Sequence, residues 1–194
     1  SIPLYISAIA VAVGFKMGLF NIGVEGQYLM GSLIAAFVGS QFSVITPIHI
    51  LFIILIAVSS SALWAAIAGY LKVKKGIHEV ISTIMLNYIG TGLISYSLTN
   101  IFDEPGSDYE LPRTPELPES GKMPPLNNLF NLENLQDLHG FVFVAIIVGI
   151  FYYWLVWKTT LGFDLRITGS NPVAAKFSGI NPNRLIVVAM VTSG

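Results

Sequence analysis

Apolar residues in this chain gather into long runs separated by short polar breaks. The runs cover 2–15, 27–42, 48–71, 77–101 and 139–157, and a sixth opens at 185. About 20 apolar residues in helical form cross a hydrocarbon core, so the third, fourth and fifth runs are full spans. The third runs for 24 residues with no formal charge, and the fourth carries one acid, Glu79. The first two are shorter and read as spans as well. From 185 the chain offers ten residues, about 15 Å of helix against a core of ~30 Å. The pattern therefore predicts an all-α, polytopic transmembrane helix bundle of about five spans plus the start of a sixth. It forms one transmembrane domain over 1–194 and is expected to be a piece of a longer membrane protein.

Composition strengthens this reading. Hydrophobic residues make up 54% of the chain and charged residues 11%, against roughly 25% charged in soluble domains. The charges are unevenly placed. Eight of the eleven acids (Asp103, Glu104, Asp108, Glu110, Glu116, Glu119, Glu133 and Asp137) lie in 102–139, with six of the ten prolines. Eight of the ten bases lie outside that stretch. Lys72, Lys74 and Lys75 close the third run, which puts its end in the cytoplasm by the positive-inside rule. Counting both ways, Lys16, Lys158, Arg166, Lys176 and Arg184 fall on the cytoplasmic side and 102–139 becomes an external, acidic, proline-rich loop. That loop is long enough to serve as a docking surface for a soluble partner. No basic face suits nucleic acid. Without cysteine there is no disulfide or thiolate site.

Several polar positions sit inside or between the spans. Glu79, Thr83, Asn87, Thr91 and Ser95 recur every four residues along the fourth run and share a slowly drifting helical face. In lipid such groups turn inward, either as interhelical hydrogen bonds or as the wall of a polar pathway. Asn87, mid-helix, is the strongest pathway candidate. Gly31, Ala35 and Gly39 in the second run, and Ser61, Ala65 and Gly69 in the third, form small-residue rows that let helix backbones approach closely. Between the first two runs lies Gly18-Leu-Phe-Asn21-Ile-Gly-Val-Glu25-Gly-Gln27, where Asn21, Glu25 and Gln27 are further path candidates. Glu25 could instead be a structural acid at the helix start, the reading favoured here, or a partner of Lys16.

The connection 158–184, expected in the cytoplasm, is heavily punctuated. Asn171-Pro172 reads as an N-cap with proline at the first helical position, and Gly179 as a C-terminal stop. A second Asn-Pro, at 181–182, opens the next span. A short helix thus stands between two membrane helices. The chain holds no G-x-x-x-x-G-K-[ST], H-E-x-x-H or G-x-S-x-G, and its three histidines are far apart, so no cofactor, metal site or catalytic set is expected.

Three segments, Gly18 through Gln27, Glu79-Val-Ile-Ser-Thr-Ile-Met-Leu-Asn-Tyr88, and Leu165-Arg166 through Gly179-Ile180, occur in the order and setting of a known family. Together they resemble the permease subunit of an ATP-binding-cassette importer, of the nucleoside branch within the branched-chain amino acid and ribose permease superfamily. The resemblance covers essentially the whole chain. It implies that the short helix is the coupling helix, which docks in a groove of the ATPase subunit. Ala174-Ala175-x-x-x-Gly179 resembles the core of the importer coupling motif, with Val173 where that motif carries an acid. Arg166, Asn171, Pro172, Ala174, Ala175, Gly179 and Ile180 are then the coupling residues. The expected partners are an ATPase, a second and homologous permease forming a heterodimer, an external substrate-binding lipoprotein, and the plasma membrane of a prokaryote. Nucleosides lead as substrate. The alternatives are a simple-sugar permease and an ATP-independent secondary carrier; a membrane enzyme would need a catalytic set that the sequence does not offer.

Overall fold

A computed structural model describes residues 2–102, 112–123 and 140–194. Among the described residues there are eight α-helices, one 3-10 turn and no strand. The helices are α1 (Ile2–Lys16), α2 (Val24–Ser40), α3 (Thr46–Lys75), α4 (Glu79–Asn100), α5 (Phe141–Lys158), α6 (Thr160–Ser170), α7 (Pro172–Phe177) and α8 (Pro182–Ser193). The 3-10 turn is Glu119–Gly121. The architecture is the all-α bundle that the apolar runs predict. By length and composition α3 and α5 can each cross a membrane. Residues 103–111 and 124–139, most of the acidic stretch, lie outside the described residues.

Helix ends follow local chemistry. α3 runs four residues beyond its apolar run because Lys72, Lys74 and Lys75 favour the negative end of the helix dipole. It stops at Gly76, whose φ of 68° needs a residue without Cβ, and the Gly76 amide bonds back to the Lys72 carbonyl at 3.1 Å. α2 starts three residues before its apolar run, with Glu25 in the first turn, where an acid meets the positive end of the dipole. Lys16, the α3 lysines, Lys158, Arg166, Lys176 and Arg184 all fall at or beyond the same ends of the helices, hereafter the basic end.

α3 is the central post. On one flank the small row at Ser61 receives α2: a Cβ on Gly31 would meet the Ser61 hydroxyl and, at 3.1 Å, the Ala57 carbonyl. On the other flank α8 lies so close that a Cβ on Gly69 would come within 3.3 Å of the Val187 Cα and 3.2 Å of the Met190 Cβ. The tightest packing sits toward the basic end, where Met17, Leu19, Ala68, Leu86, Leu165, Leu185, Ala189 and Met190 form one buried cluster. Away from it, α3, α4 and α5 leave large apolar side chains uncovered, among them Leu63, Tyr88 and Ile147.

At the opposite end, His49 ties two connections together. Its Nε2 lies 3.0 Å from the Gly39 carbonyl oxygen and its Nδ1 2.8 Å from the Ser120 hydroxyl. The segment 112–123 is thereby fastened over the α2–α3 corner, with Leu117 against Gly39 and Gly121 against Ile53.

Because Gly69 faces backbone as well as side chain, Gly69→Leu forces α8 away from α3. A loss of about 1–3 kcal/mol is expected from overpacking. It would be read as a lowered melting temperature of the full-length protein in detergent, with Leu63→Ala, at an uncovered position, as the unaffected control.

Candidate functional site

The connection between α1 and α2 packs its polar side chains into the protein. Gly18 makes the turn, with φ 71°. Asn21, 2% exposed, then lies at the centre of a knot. Its Nδ2 donates to Gln27 Oε1 at 3.1 Å and to the Ser193 hydroxyl of α8 at 2.8 Å. Its Oδ1 accepts from the Gly23 amide at 2.9 Å and from Gln27 Nε2 at 3.2 Å. The Ser193 hydroxyl in turn donates to the Ala10 carbonyl of α1 at 2.7 Å, and Ser61 of α3 donates to the Gln27 carbonyl at 2.8 Å. Both protons and both acceptor positions of Asn21 are thus in use.

α4 clasps the same segment from the other side. Asn87 Oδ1 accepts from the Gly26 amide and its Nδ2 donates to the Ile22 carbonyl, each at 3.0 Å. A Cβ on Gly26 would meet Asn87 Oδ1 at 2.7 Å and Asn87 Cα at 3.0 Å, so glycine is required for this approach. Glu79, 2% exposed, pairs with Lys72 across the α3–α4 turn and accepts from the Phe20 amide at 3.4 Å. Thr83 is fully buried, and its hydroxyl donates to the Glu79 carbonyl at 2.7 Å.

The polar row of α4 therefore divides. A step of four residues advances the helical angle by about 40°, so Glu79 to Ser95 sweeps about 160°. Glu79 and Thr83 face the bundle, Asn87 is half-buried, and Thr91 and Ser95 are exposed. Thr91 bonds only within its helix, to the Asn87 carbonyl at 3.0 Å. Glu25 is also exposed and does not pair with Lys16, whose ammonium lies instead over the Trp157 ring. Among the path candidates, Asn21, Gln27, Thr83 and Asn87 come together in one region, while Glu25 and Thr91 lie on the surface.

The second constellation is the elbow 158–184. The sequence pattern predicts one short helix here, and there are two. α6 begins where the Thr159 hydroxyl accepts from the Gly162 amide at 3.1 Å, and it buries Gly162, Leu165 and Thr168 at three-residue spacing. A Cβ on Gly169 would strike the Lys16 carbonyl and the Met17 backbone, so the end of α6 rests on the end of α1. α7 then starts at the expected cap: Asn171 Oδ1 accepts from the amides of Val173 at 3.1 Å and Ala174 at 3.0 Å, with Pro172 at the first position. Its close is also as expected, at Gly179 with φ 81°, and the Ile180 amide returns to the Ala175 carbonyl at 3.0 Å. Asn181 caps α8 in the same manner.

Ala175 of α7 is fully buried and Ile180, three residues past its end, packs against the core cluster, which fixes the helix to the bundle. Its other face is bare. Phe177 is 90% exposed and Val173 65%. Sequence reasoning picked out the alanines and missed these two, although apolar residues flanking an Ala-Ala pair in a basic, capped helix are a legible signal. Arg166 is held on α6 by Nε donation to the Gly162 carbonyl at 3.3 Å, with its guanidinium over Trp157.

Comparison with known proteins gives these features a context. Residues 1–194 match the family described as the branched-chain amino acid transport system / permease component. The chain is 36% identical over 194 residues to the guanosine ABC transporter permease protein NupP of Bacillus subtilis, covering 99% of this chain and 53% of that protein. It is 30% identical over 193 residues to the nucleoside ABC transporter permease protein NupB of Lactococcus lactis, covering 99% and 53%. A glucose ABC transporter permease protein of Haloferax volcanii is 29% identical over 198 residues, covering 100% and 52%. The chain spans about half the length of the curated relatives it matches. No solved structure matches it.

The knot makes a clear mutational contrast. Asn21→Ala leaves the Gly23 amide and the Gln27 side chain without partners in a water-poor setting, and a loss of about 1–3 kcal/mol is expected. Thr91→Ala, which removes one bond on an exposed face, should fall within about 0.5 kcal/mol of the parent. Thermal unfolding of the two variants in the same detergent distinguishes them.

Proposed function

This chain belongs to the branched-chain amino acid transport system permease family, and from that premise we propose that it serves as the membrane-spanning permease subunit of an ATP-binding-cassette importer, moving nucleosides inward by alternating access. The observation that carries this reading is α7. A helix of six residues has little stability of its own. Here it is capped by Asn171, stopped by Gly179, seated through Ala175 and Ile180, and left with Phe177 and Val173 uncovered. That is the form of a rigid apolar knob for a partner's groove. The partner is a separate ATPase, which supplies the hydrolysis; this chain is a transport subunit and not an enzyme.

The remaining assignments follow from that one. The basic end faces the cytoplasm of a prokaryotic cell and 102–139 faces outward, where the binding lipoprotein delivers substrate. Asn171, Pro172, Ala174, Ala175, Gly179 and Ile180 couple the ATPase to the bundle, and Arg166 supports them by holding α6 against Trp157. A second, homologous permease covers part of the bare surface of the spans as a heterodimer. The substrate path follows the surface beside Asn87, where Glu25 and Thr91 present polar groups and Tyr28 and Tyr88 present exposed rings. Asn21, Gln27 and Thr83 hold that wall in shape. Nucleosides are favoured over simple sugars because two nucleoside-type permeases are at least as similar to the chain as the glucose permease.

Uptake of labelled guanosine, and of glucose and ribose, by cells with and without the gene tests the substrate. Loss of guanosine uptake alone is expected. Loss of sugar uptake alone would keep the importer and replace the substrate, and uptake that persists when ATP is depleted but a proton gradient remains would favour a secondary carrier. Coupling is tested by Phe177→Asp, which changes an uncovered side chain and should leave membrane abundance and thermal stability unchanged. Uptake should fall at least tenfold in that variant.

A further inference from the structure

Two cations meet at the basic end of α5. The Arg166 guanidinium carbon lies 4.5 Å from the centre of the Trp157 ring, and Lys16 Nζ lies 5.3 Å from it. They come from α6 and α1 to a ring on the last turn of α5. Through that shared ring the charges are held within about 10 Å of each other, roughly one Debye length at 0.1 M salt, so their potentials reinforce one another. No carboxylate among the described residues lies within ion-pair distance of either, Asp164 two positions before Arg166 included. Arg166 uses its Nε on the Gly162 carbonyl, which leaves the two terminal nitrogens of the guanidinium available. Lys158, exposed, follows the ring directly.

An apolar track leads to this charge. Ile147, Ile150, Phe151 and Trp154 line one shallow groove on α5, and each exposes more than half of its surface. Their three- and four-residue spacing continues to Trp157 on the same side of the helix. The opposite side is the packed one: Ala145 and Val156 are buried, and Gly149 receives the Tyr5 ring of α1. From Ile147 to Trp157 the helix rises about 15 Å, half of a ~30 Å hydrocarbon core and so the depth of one leaflet.

We propose that this is a binding site for one anionic phospholipid of the leaflet at the basic end. Its phosphodiester sits with Arg166 and Lys16 beside Trp157, and one acyl chain lies along the groove from Trp154 to Ile147. Tryptophan with lysine or arginine is the usual composition of a membrane–water interface, and basic pockets between transmembrane helices suit anionic headgroups. A carboxylate from a soluble partner would answer the charge and have no use for the apolar track. A protein helix laid over the track would have to bring its own acid to the ring.

The test uses the full-length permease assembled with its partner subunits in nanodiscs of phosphatidylcholine and phosphatidylglycerol. Trace phosphatidylglycerol with a photoreactive acyl chain is added, and labelled peptides are mapped by mass spectrometry. Labelling of α5 by this probe is expected, with at least fivefold less from a phosphatidylcholine probe of the same chain. Raising NaCl tenfold should lower the phosphatidylglycerol labelling severalfold, a readout that needs no variant. Lys16→Gln with Arg166→Gln should lower it at least fivefold, whereas Lys16→Arg with Arg166→Lys, and Arg184→Gln, retain it. Millimolar inorganic phosphate should not compete. Equal labelling by the two probes, absence of labelling on α5, or an unchanged signal in the glutamine pair would overturn the proposal. Displacement by inorganic phosphate would overturn it in favour of a soluble anion, and loss of ATPase association in the glutamine pair with labelling intact would do so in favour of a protein acid.

Discussion

A backbone amide buried away from water has no solvent to turn to, and each one left unpartnered costs free energy. The residues between α1 and α2, and the first turn of α2, lack the intrahelical bonds that would satisfy them. Side chains replace those bonds: Asn21 serves the Gly23 amide, Asn87 serves the Gly26 amide and the Ile22 carbonyl, and Glu79 serves the Phe20 amide. The rest of the bundle depends on this substitution. The groups that satisfy the connection belong to α4 and to the connection itself, and through Ser193 and Ser61 the same knot takes in α8, α1 and α3. An individual interhelical bond in a membrane averages only about 0.6 kcal/mol, so it is the number and closure of the bonds that fix the geometry. The small-residue contacts at Gly31, Gly26 and Gly69 serve the same end, since each brings two backbones close enough for short side chains to reach across.

The all-α architecture was legible because crossing a hydrocarbon core demands apolar length, and length survives in sequence. The caps of α7 were legible too, since Asn-Pro and a later glycine act through neighbouring residues alone. The knot was legible only in part. Asn21, Gln27 and Asn87 stand out as polar residues in apolar surroundings, but their partners do not. Ser193 lies 172 positions from Asn21, and no periodicity links them. The four-residue row on α4 also misleads if taken whole, because its drift carries Thr91 and Ser95 off the face that Glu79 and Thr83 occupy. α6 escaped notice because its buried positions include Gly162 and Thr168, which carry no hydrophobic signal.

Family membership and geometry bear on different parts of the problem. The match over the whole chain establishes the kind of protein, while the relatives differ in cargo between nucleosides and glucose at similar identity. Overall identity therefore does not separate one cargo from another, and the half-buried and exposed residues around Asn87 are freer to vary than Asn21, whose every polar side-chain atom is committed.

The seating of Gly169 on the Lys16–Met17 backbone has a mechanical consequence. α6 leads directly into α7, and beyond its sequence neighbours it rests on the end of α1 through Gly169 and on α8 through Leu165. A displacement of α7 would therefore bear on the end of α1 as well as on α8, and Asn21 lies only a few residues beyond Met17. In such a displacement the elbow would turn as a short crank, whose bearing is a single hydrogen atom where any other residue would carry a side chain.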